Sequence, residues 1–499
     1  MPSIYDTLDG RVLNKPGAYV LSDIFLVSYR SDKGSSDPIK IAIETMVIDL
    51  NIYESIYNKT LSGNLAIIDS NNVIGKLPLT GNERLEFKFY TPSLSKGYDF
   101  TIKTGNPMYV YKIQSRIAVS PRSQMYILNF CSKEMLDNEL IACNGVKTDT
   151  YSTMVSNIVK QPEFLNSKKS FLFEPSLGLR KHVFTRIRPF DLIDQLSLIT
   201  ESQKHYGAGY YFYETSFGFN YRSLDSLLAV EANTARPVLA RYRPKPSNVA
   251  DEKREKDIKN EMQQVISYKV LSQFDTLKNF RNGVFASKLI THDLLTKTYV
   301  ETDFNYLNEY ENQIHTDNSK EGTKTVDKGI LPNYIREGKS PADFPESTLY
   351  IHTDTSAKHY TESGNVVEHH PLKNILQRRL SQRLALTSFK IELTLNGFTG
   401  LQAGDLITFE MPSYEPNDGT KPKDFDTTVS GRYLITSIRH QLNRQAKKHI
   451  MILECMKDSL RIGYPVENID TFIDKERNNP GIVDLYAIDS LVFNNLLTV

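Results

Sequence analysis

Two widely separated stretches of this sequence share one strand–turn–strand pattern, and this repeat constrains the fold more than any other feature. Residues 108–136 and 432–460 each contain an alternating strand, a polar basic turn and a second, apolar strand. The matching positions are Tyr111-x-Ile113-x-Ser115 and Tyr433-x-Ile435-x-Ser437 at the start, and Cys131 and Cys455 at the end. Because alternation with period two is typical of strands, each stretch predicts an antiparallel β-hairpin.

A weaker match lies upstream of each predicted hairpin. Residues 57–69 (YNKTLSGNLAIID) and 280–293 (FRNGVFASKLITHD) both have an aromatic residue, a small-residue stretch and then a β-rich run. We interpret the matching stretches as two copies of one β-barrel-like domain, which is what an internal repeat indicates. The alternative is that hairpins of this length share a pattern by chance.

The sequence between the two copies predicts helices as well as strands. Residues 150–160 space apolar side chains along one helix face, with Asp149 as the predicted N-cap. Those side chains are Tyr151, Met154, Val155 and Ile158. Pro189 is predicted to open a second helix, because proline suits the first helical position. The apolar face of this helix is Leu192, Ile193, Leu196 and Ile199.

An aromatic hairpin is predicted directly after the second helix. Residues 210–213 are all aromatic, and a second aromatic run at 217–221 follows a short polar turn at Glu214–Ser216. A catalytic loop would carry convergent acids, bases or nucleophiles, whereas this segment carries packing surface. We therefore interpret residues 137–242 as a mixed α+β domain.

Composition limits the class of protein. A chain of 499 residues is too long for one ordinary domain. Sixty basic and 59 acidic residues leave a net charge of +1, which argues against a dedicated nucleic-acid-binding protein but not against a neutral conduit. The three cysteines fit buried thiols in a reduced compartment. Since no window reaches about eighteen apolar residues, we expect a soluble chain with no signal peptide and no membrane insertion.

Two further segments carry predicted interface residues. A helix is predicted from Pro371, and its basic face either meets phosphates or, as is more common, is solvated or pairs with acids. Its apolar face is Leu372, Leu376, Leu380 and Leu384, and its predicted interface residues are Arg378, Arg379 and Arg383. The apolar C-terminal segment is either a core strand or an arm that docks on a partner, and we favour the arm. Its predicted interface residues are Leu485, Tyr486, Val492 and Phe493.

The sequence contains no familiar catalytic motif. It has no phosphate loop, no GxGxxG, no GxSxG and no HExxH. His369-His370 is the one paired histidine, and no well-spaced set of ligands completes a metal site around it. The carboxylate pairs Asp191 with Asp194 and Asp225 with Glu214 would suit a glycosidase, but nothing marks either pair. We predict no catalytic residue, no metal, no cofactor and no enzymatic activity.

Four segments resemble, in matching order, segments of the baseplate hub proteins of T-even-type contractile-tailed bacteriophages. Residues 210–228 resemble a hairpin of these proteins, and residues 60–92 resemble their first barrel. Residues 283–297 and 395–412 are similar to strands of their second barrel. The resemblance spans roughly residues 38–460 and depends on the ordered set, since no single motif is diagnostic.

The resemblance implies a mainly β fold with two tail-tube-like β-barrel domains, an α+β insertion and an extended C-terminal tail. It also implies a homotrimer at the end of the tail tube, in which six barrels form a pseudo-sixfold ring. The implied partners are the tail tube protein, a trimeric central spike with or without a tail lysozyme, and other baseplate proteins. DNA would pass through the ring without specific binding, in a virion baseplate assembled in the host cytoplasm.

The predicted domains follow the chain in order. They are an N-terminal arm (1–37), a first barrel (38–136), an α+β domain (137–242), a linker (243–261), a second barrel (262–460) with a polar insertion at 311–349, and a C-terminal tail (461–499).

Three other functions remain open. One is the spike hub of a bacterial contractile injection or type VI secretion system, although no β-helical repeat follows Leu460. Another is a tail-associated glycan hydrolase, which would need an acid pair in a cleft. The last is a tube-like nucleic-acid channel, which would need only one barrel.

Overall fold

The computed structural model describes residues 13–460 with gaps at 14, 29–37, 78, 82, 93, 95–96, 208, 232–233, 236, 245–257, 295–296, 311, 318–328, 333, 355–358, 361–365, 368–374, 414–424 and 427. The strands are β1 (Val20–Ser28), β2 (Ile39–Ala42), β3 (Val47–Ser55), β4 (Ser62–Asp69), β5 (Glu83–Tyr90), β6 (Tyr98–Asp99), β7 (Met108–Ser120), β8 (Ser123–Ser132), β9 (Cys143–Asp149), β10 (Phe171–Phe173), β11 (Arg180–Ile187), β12 (Tyr210–Thr215), β13 (Gly218–Ser223), β14 (Ala229–Glu231), β15 (Thr234–Ala235), β16 (Ala240–Pro244), β17 (Gln264–Ser272), β18 (Ala286–Asp293), β19 (Thr298–Asn305), β20 (Leu349–Asp354), β21 (His359–Tyr360), β22 (Val366–Val367), β23 (Phe389–Asn396), β24 (Leu406–Phe409), β25 (Gly431–Asn443) and β26 (Lys448–Lys457). The helices are α1 (Val73–Lys76), α2 (Lys133–Leu140), α3 (Tyr151–Lys160), α4 (Pro189–Ile199), α5 (Leu224–Leu228), α6 (Ile258–Met262), α7 (Thr276–Arg281), α8 (Tyr306–Tyr310) and α9 (Leu376–Leu386). The predicted mainly β fold is confirmed.

Strands from both halves of the chain belong to one large sheet, and the second half of this sheet closes on itself. Six strands pair in the ring β25-β24-β16-β17-β23-β26, and β26 returns to β25. Their inward side chains form one apolar core that includes Tyr433, Ile435, Leu453 and Cys455. Closure leaves these strands with neighbours on both sides, which protects their edges.

The first half of the sheet wraps a core of its own without closing. Its strand order is β2-β1-β5-β7-β8-β4-β3, with β6 paired to β5. Between β2 and β3 the chain passes through a short 3-10 turn at Glu44–Met46, and Ile43 donates its N–H to the carbonyl of Ile24. The core includes Leu50, Leu65, Phe87 and Phe130. This half is a barrel whose wall is completed by a turn and by side chains.

Five strands of the two barrels share one topology. The order β5-β7-β8-β4-β3 in the first barrel matches β24-β25-β26-β23-β17 in the second, and every neighbouring pair is antiparallel. The five strands also follow the same order along the chain. The two predicted hairpins are therefore formed as β7–β8 and β25–β26, in equivalent places.

The register of the repeat differs from the predicted one. Val110 and Ile435 are each buried in the core of their barrel, and each precedes a β-bulge in the hairpin. They are therefore equivalent, which moves the first strand of the hairpin by three residues, and the second strand by one, from the alignment in the sequence. Tyr111 is exposed whereas Tyr433 is buried. The bulges explain the error, because each one interrupts the two-residue period on which the alignment depended.

The upstream match was wrong. Residues 62–69 form β4 of the first barrel, but 286–293 form β18 of a separate three-stranded sheet, β19-β18-β20. The strand equivalent to β4 is β23, which lies about a hundred residues further along the chain. Residues 283–297 are therefore not part of the second barrel. Together with α7 and α8, the separate sheet lies between β17 and β23 and has its own small core around Phe285 and Tyr306.

The predicted domain boundaries do not all follow the observed elements. β1 lies within the stretch predicted as an N-terminal arm, yet it pairs with β5 in the first barrel. The predicted linker begins within β16, which pairs with β17 and β24, and it overlaps α6 at its other end. The predicted C-terminal tail lies outside the described residues.

The region between the barrels contains the predicted helices and hairpin. α3 and α4 bury the predicted apolar side chains except Ile199, which is half-buried, and Thr150 rather than Asp149 is the N-cap of α3. β12 and β13 pair through Thr215 and Gly218, so the turn lies at residues 216–217, later than predicted. Gly218 has a φ of +124°, and a Cβ at this position would approach the carbonyl oxygen of Ser170 to 2.3 Å. Glycine therefore fixes the end of this turn.

Candidate assembly interface

The two barrels are joined by strand pairing. β3 of the first barrel pairs antiparallel with β25 of the second, from Ser55 opposite Ser437 to Asp49 opposite Asn443. The Ser55 and Ser437 hydroxyls lie 2.8 Å apart across this junction. One continuous sheet therefore runs through both barrels, and their relative position is fixed by backbone hydrogen bonds.

A buried polar chain crosses the same junction. The Tyr98 hydroxyl donates to Glu54 Oε2 at 2.9 Å and lies 3.0 Å from His440 Nε2. His440 Nδ1 lies 3.0 Å from His449 Nε2, and the Ala403 N–H donates to Glu54 Oε1 at 2.6 Å. The first barrel supplies Glu54 and Tyr98, and the second supplies both histidines.

Burial determines the protonation states of the side chains in this polar chain. It raises the pKa of Glu54 to about 8, against the opposing effect of the Ala403 and Tyr98 hydrogen bonds. It lowers the pKa of His449 to about 3 and that of His440 well below its ordinary value. The polar chain is thus mostly uncharged near neutral pH, which suits an enclosed junction because an isolated buried charge is costly.

A buried ion cluster connects the first barrel to the region that follows it. Lys169 Nζ lies 2.7 Å from Glu134 Oε2 and 2.6 Å from Glu214 Oε1. Glu214 Oε2 also accepts from the Ser132 hydroxyl and from the N–H of Leu61, at 2.6 and 2.9 Å. Glu214 was predicted to belong to a polar turn, but it lies inside β12 and is buried.

The cluster contains one lysine and two carboxylates. Burial opposes the charge of Lys169, yet the two glutamates raise its pKa. For Glu134, burial is outweighed by Lys169, which lowers the pKa of that carboxyl. Burial and the nearby charge of Glu134 raise the pKa of Glu214. Each member needs the others, because a buried charge without its partner is strongly destabilising.

Helix α9 places its polar face inward. Its buried side chains include Gln377, Arg378, Ser381 and Gln382, whereas Leu376, Leu380 and Leu384 are only half-buried. The predicted inward leucine face is therefore wrong. The Gln382 amide donates to Asp225 at 3.1 Å, and the Ser381 hydroxyl donates to the carbonyl of Val284 at 2.7 Å. These bonds connect the α+β region to the small inserted sheet.

The predicted arginines occupy different environments. Arg378 is buried. Its guanidinium lies 3.2 Å from Glu201 and over the ring of Tyr206, so it pairs with groups of its own chain. Arg379 donates to the carbonyl of Leu198, and Arg383 is exposed. Arg379 and Arg383 line a cleft of about 340 Å³. The predicted residues Leu485, Tyr486, Val492 and Phe493, as well as His369 and His370, lie outside the described residues.

The carboxylate pairs do not form an acid–nucleophile site. Asp191 and Asp194 are both exposed on α4, and Asp194 pairs with Lys59. Asp225 accepts from Gly207 N–H and Gln382, whereas Glu214 is held by the ion cluster. Among the residues that the structure describes, no group of three His, Cys, Asp or Glu side chains could hold a metal ion, and no helix could cross a membrane.

Sequence reasoning missed the polar groups that hold the regions together. Glu54 lies in an otherwise alternating strand, and Lys169 lies in a polar loop, so neither has a local signal. Glu54 does occupy an inward-facing position in the alternating pattern of residues 47–55. This position was the one sign in the sequence that its side chain is buried. Their partners are distant in sequence, and only the fold brings them together.

Comparisons with known proteins were made for sequence and for structure. No family model and no curated protein matches the sequence. A tail protein from Neisseria meningitidis MC58 aligns over 88% of this chain and 97% of its own, with 10% identity and a TM-score of 0.47. The 43 kDa tail protein of prophage MuSo2 from Shewanella oneidensis aligns over 88% and 98%, with 11% identity and a TM-score of 0.43. At these values no function is transferred from either structure to this chain.

A third solved structure is the E. coli c3393 protein. It is described as a component of the type VI secretion system that is structurally similar to the T4 bacteriophage tail proteins gp27 and gp5. It aligns over 89% of this chain and 78% of its own, with 10% identity and a TM-score of 0.37.

Proposed function

We propose that this chain is the structural hub of a contractile phage tail baseplate. Three copies form a homotrimer, and their six barrels form a pseudo-sixfold ring between a hexameric tail tube and a trimeric central spike. The observation that carries the proposal is the topology shared by the two barrels, together with the strand pairing that fixes them side by side. A chain with two equivalent modules can present sixfold geometry from a threefold assembly.

The domain plan follows from this role. The two barrels form the ring, and the α+β region at 137–242 and the inserted sheet with α9 are attached to its wall. The ion cluster around Lys169 and the polar face of α9 keep these regions in fixed positions. A rigid chain suits an adaptor, because each partner must meet a preformed surface.

The chemistry of the described residues supports a structural role. The buried carboxylates and histidines at the junctions contact one another and backbone groups, and they join regions of the chain. The near-zero net charge would let DNA pass through the ring without strong retention, because affinity scales with the number of phosphates neutralised. Tight DNA binding by the purified assembly at low salt would contradict that part of the proposal.

The test is the mass and the axial view of the purified full-length chain. Light scattering should give three times the mass of one chain, and electron microscopy along the axis should show a ring of six similar lobes. A monomer that hydrolyses peptidoglycan or another glycan would overturn the proposal in favour of a hydrolase. A single-chain mass at all accessible concentrations would also overturn it.

A further inference from the structure

The edge of β25 has two successive partners. β24 pairs with Gly431–Leu434, and β3 then continues along the same edge from Ser437 to Asn443. The other edge of β25 is occupied by β26. The first barrel therefore adds a strand to the second at the point where β24 ends.

The equivalent edge of β7 has only its first partner. β5 pairs with Met108–Val110, and no strand among the described residues follows on that side. The outer part of β7 still pairs with β8 and exposes apolar side chains, among them Ile117 at 58% and Val119 at 55%. Such an edge is a ready template for another strand.

The strand equivalent to β3 is β17. The ladders that lead from Val110 and Ile435 make Tyr53 of β3 equivalent to Ser272 of β17, and Leu271 is the bulge residue beside it. β16 pairs with β17 only at Gln264 and Val265. Beyond that point, the residues around Leu271 pair with β23 on one side, and no described strand pairs with them on the other. Leu271 and Val270 are 48% and 40% exposed.

We propose that β17 of one copy adds to β7 of the next copy, so that the junction within each chain is repeated between chains. This inference depends on the proposed function and specifies its interface. The two edges lie on different barrels, so the contact is head-to-tail, and such contacts build rings when the rotation closes. Both edges expose apolar side chains, which a second copy would cover.

The register follows from the junction within the chain. Arg439 of β25 lies opposite Tyr53 of β3, and Gln114 is the β7 residue equivalent to Arg439. Gln114 of one copy should therefore lie opposite Ser272 of its neighbour. Directly opposed residues have Cβ atoms about 4.5–5.5 Å apart, which is near the range for a disulfide.

Paired cysteines test this register. The double variant Gln114→Cys/Ser272→Cys should form chain-to-chain disulfides on mild oxidation, and denaturing gels should show a ladder that ends at three chains. The matched control is Gln114→Cys/Tyr299→Cys, because Tyr299 is also exposed but lies on the separate sheet. The native cysteines Cys131, Cys143 and Cys455 are buried. The two single-cysteine variants should show no ladder.

Charged variants give a second measurement. Ile117→Lys and Leu271→Lys should each weaken association at least about tenfold, because a lysine would be buried between the strands. Ile351→Lys, at an exposed position on β20, should leave association unchanged. Circular dichroism checks that each variant is folded.

The outcomes separate the two proposals. A trimer that forms no Gln114–Ser272 crosslink and tolerates both lysines would overturn the strand-addition interface and leave the hub proposal standing. A chain that stays monomeric under all conditions would overturn the hub proposal, and the interface with it.

Discussion

The two barrels share a five-stranded framework but complete their walls differently. In the second barrel the single strand β16 runs parallel to both β24 and β17 and closes the ring. In the first barrel the antiparallel pair β1–β2 occupies the corresponding side, and no strand pairing joins β2 to β3 among the described residues. The duplicated part is therefore the framework, and the closing strands are specific to each copy.

The equivalent hairpins also differ in their surroundings. β25 is almost entirely buried or half-buried, since β3 covers its edge, whereas most of β7 beyond Val110 is exposed. The same topology thus gives one strand edge that partner strands cover, that of β25, and one that is open, that of β7. The difference shows that the two copies of a repeat in one chain need not have the same neighbours.

One buried lysine, Lys169, lies beside the first barrel and another, Lys457, lies within the second, and the largest predicted effect contrasts them. Lys169 contacts two carboxylates, whereas Lys457 donates mainly to the carbonyls of Thr428 and Ser430, and burial lowers its pKa to about 8. Lys169→Met leaves two buried acids unpaired and should reduce the free energy of unfolding by about 3–5 kcal/mol. Lys457→Met leaves carbonyl groups unpaired and removes a positive charge near the buried Asp317, without breaking a direct ion pair among the described residues, and should cost about 1–3 kcal/mol.

Urea unfolding followed by circular dichroism measures both values. Lys133→Met is the control for the first barrel, because its surface pair with Asp137 is worth at most about 0.5 kcal/mol. An equal loss for Lys169→Met and Lys457→Met would contradict the distinction between the two clusters.

Equivalent core leucines test the effect of closure. Leu128 and Leu453 are both fully buried and occupy equivalent positions in the two hairpins. Replacement by alanine should cost about 2–5 kcal/mol at either site. The closed barrel has less freedom to collapse around the cavity, so Leu453→Ala should cost more than Leu128→Ala. A larger loss at Leu128 would show that closure does not limit relaxation.

The junction between the barrels should respond to pH in two opposite ways. The folded pKa of Glu54, from the first barrel, is about 8 and lies above its ordinary value of 4.5. Its stabilising contribution is therefore full below about pH 4.5 and is lost as the pH rises through 8. The pKa values of His440 and His449, from the second barrel, lie below 6.5. Their contribution is full above pH 6.5 and is lost as the pH falls.

Two conservative variants separate these effects. Relative to wild type, Glu54→Gln should remove a decline in unfolding free energy of up to about 1.4 kcal/mol per pH unit between pH 5 and 8. His449→Gln should instead flatten the decline below pH 6.5. Urea titrations at a series of pH values measure both slopes. Parallel pH profiles for wild type and Glu54→Gln would show that Glu54 is ionised equally in the folded and unfolded chain.

The smallest predicted change in stability compares Arg439, which a neighbouring strand covers, with the equivalent exposed position on β7, Gln114. Arg439 lies over the ring of Tyr53 and donates to Asn51 at 3.1 Å, so Arg439→Leu should cost about 0.5–1 kcal/mol. Gln114→Leu, at the equivalent position on β7, should change the stability of a single chain by less than about 0.5 kcal/mol. Both are measured at concentrations at which the chain sediments as a monomer. A loss at Gln114 equal to that at Arg439 would show that the β7 edge is already covered within one chain.

Much of the local structure could be predicted from the sequence. The hairpins β7–β8 and β25–β26, the helices α3 and α4 and the aromatic hairpin all follow from apolar periodicity and from proline or glycine at element ends, which are properties of neighbouring residues. The mainly β class and the existence of a repeat follow from the same signals.

The tertiary structure alone decided which distant segments meet. It made β23 rather than β18 the counterpart of β4 and changed the register of the repeat. It closed one barrel, left the other open and buried the polar face of α9. It also brought Glu54 to His440 and Lys169 to its two glutamates. A period-two pattern fits many strand partners and registers equally well, and a buried charge is stable only beside a partner that lies far away in the chain.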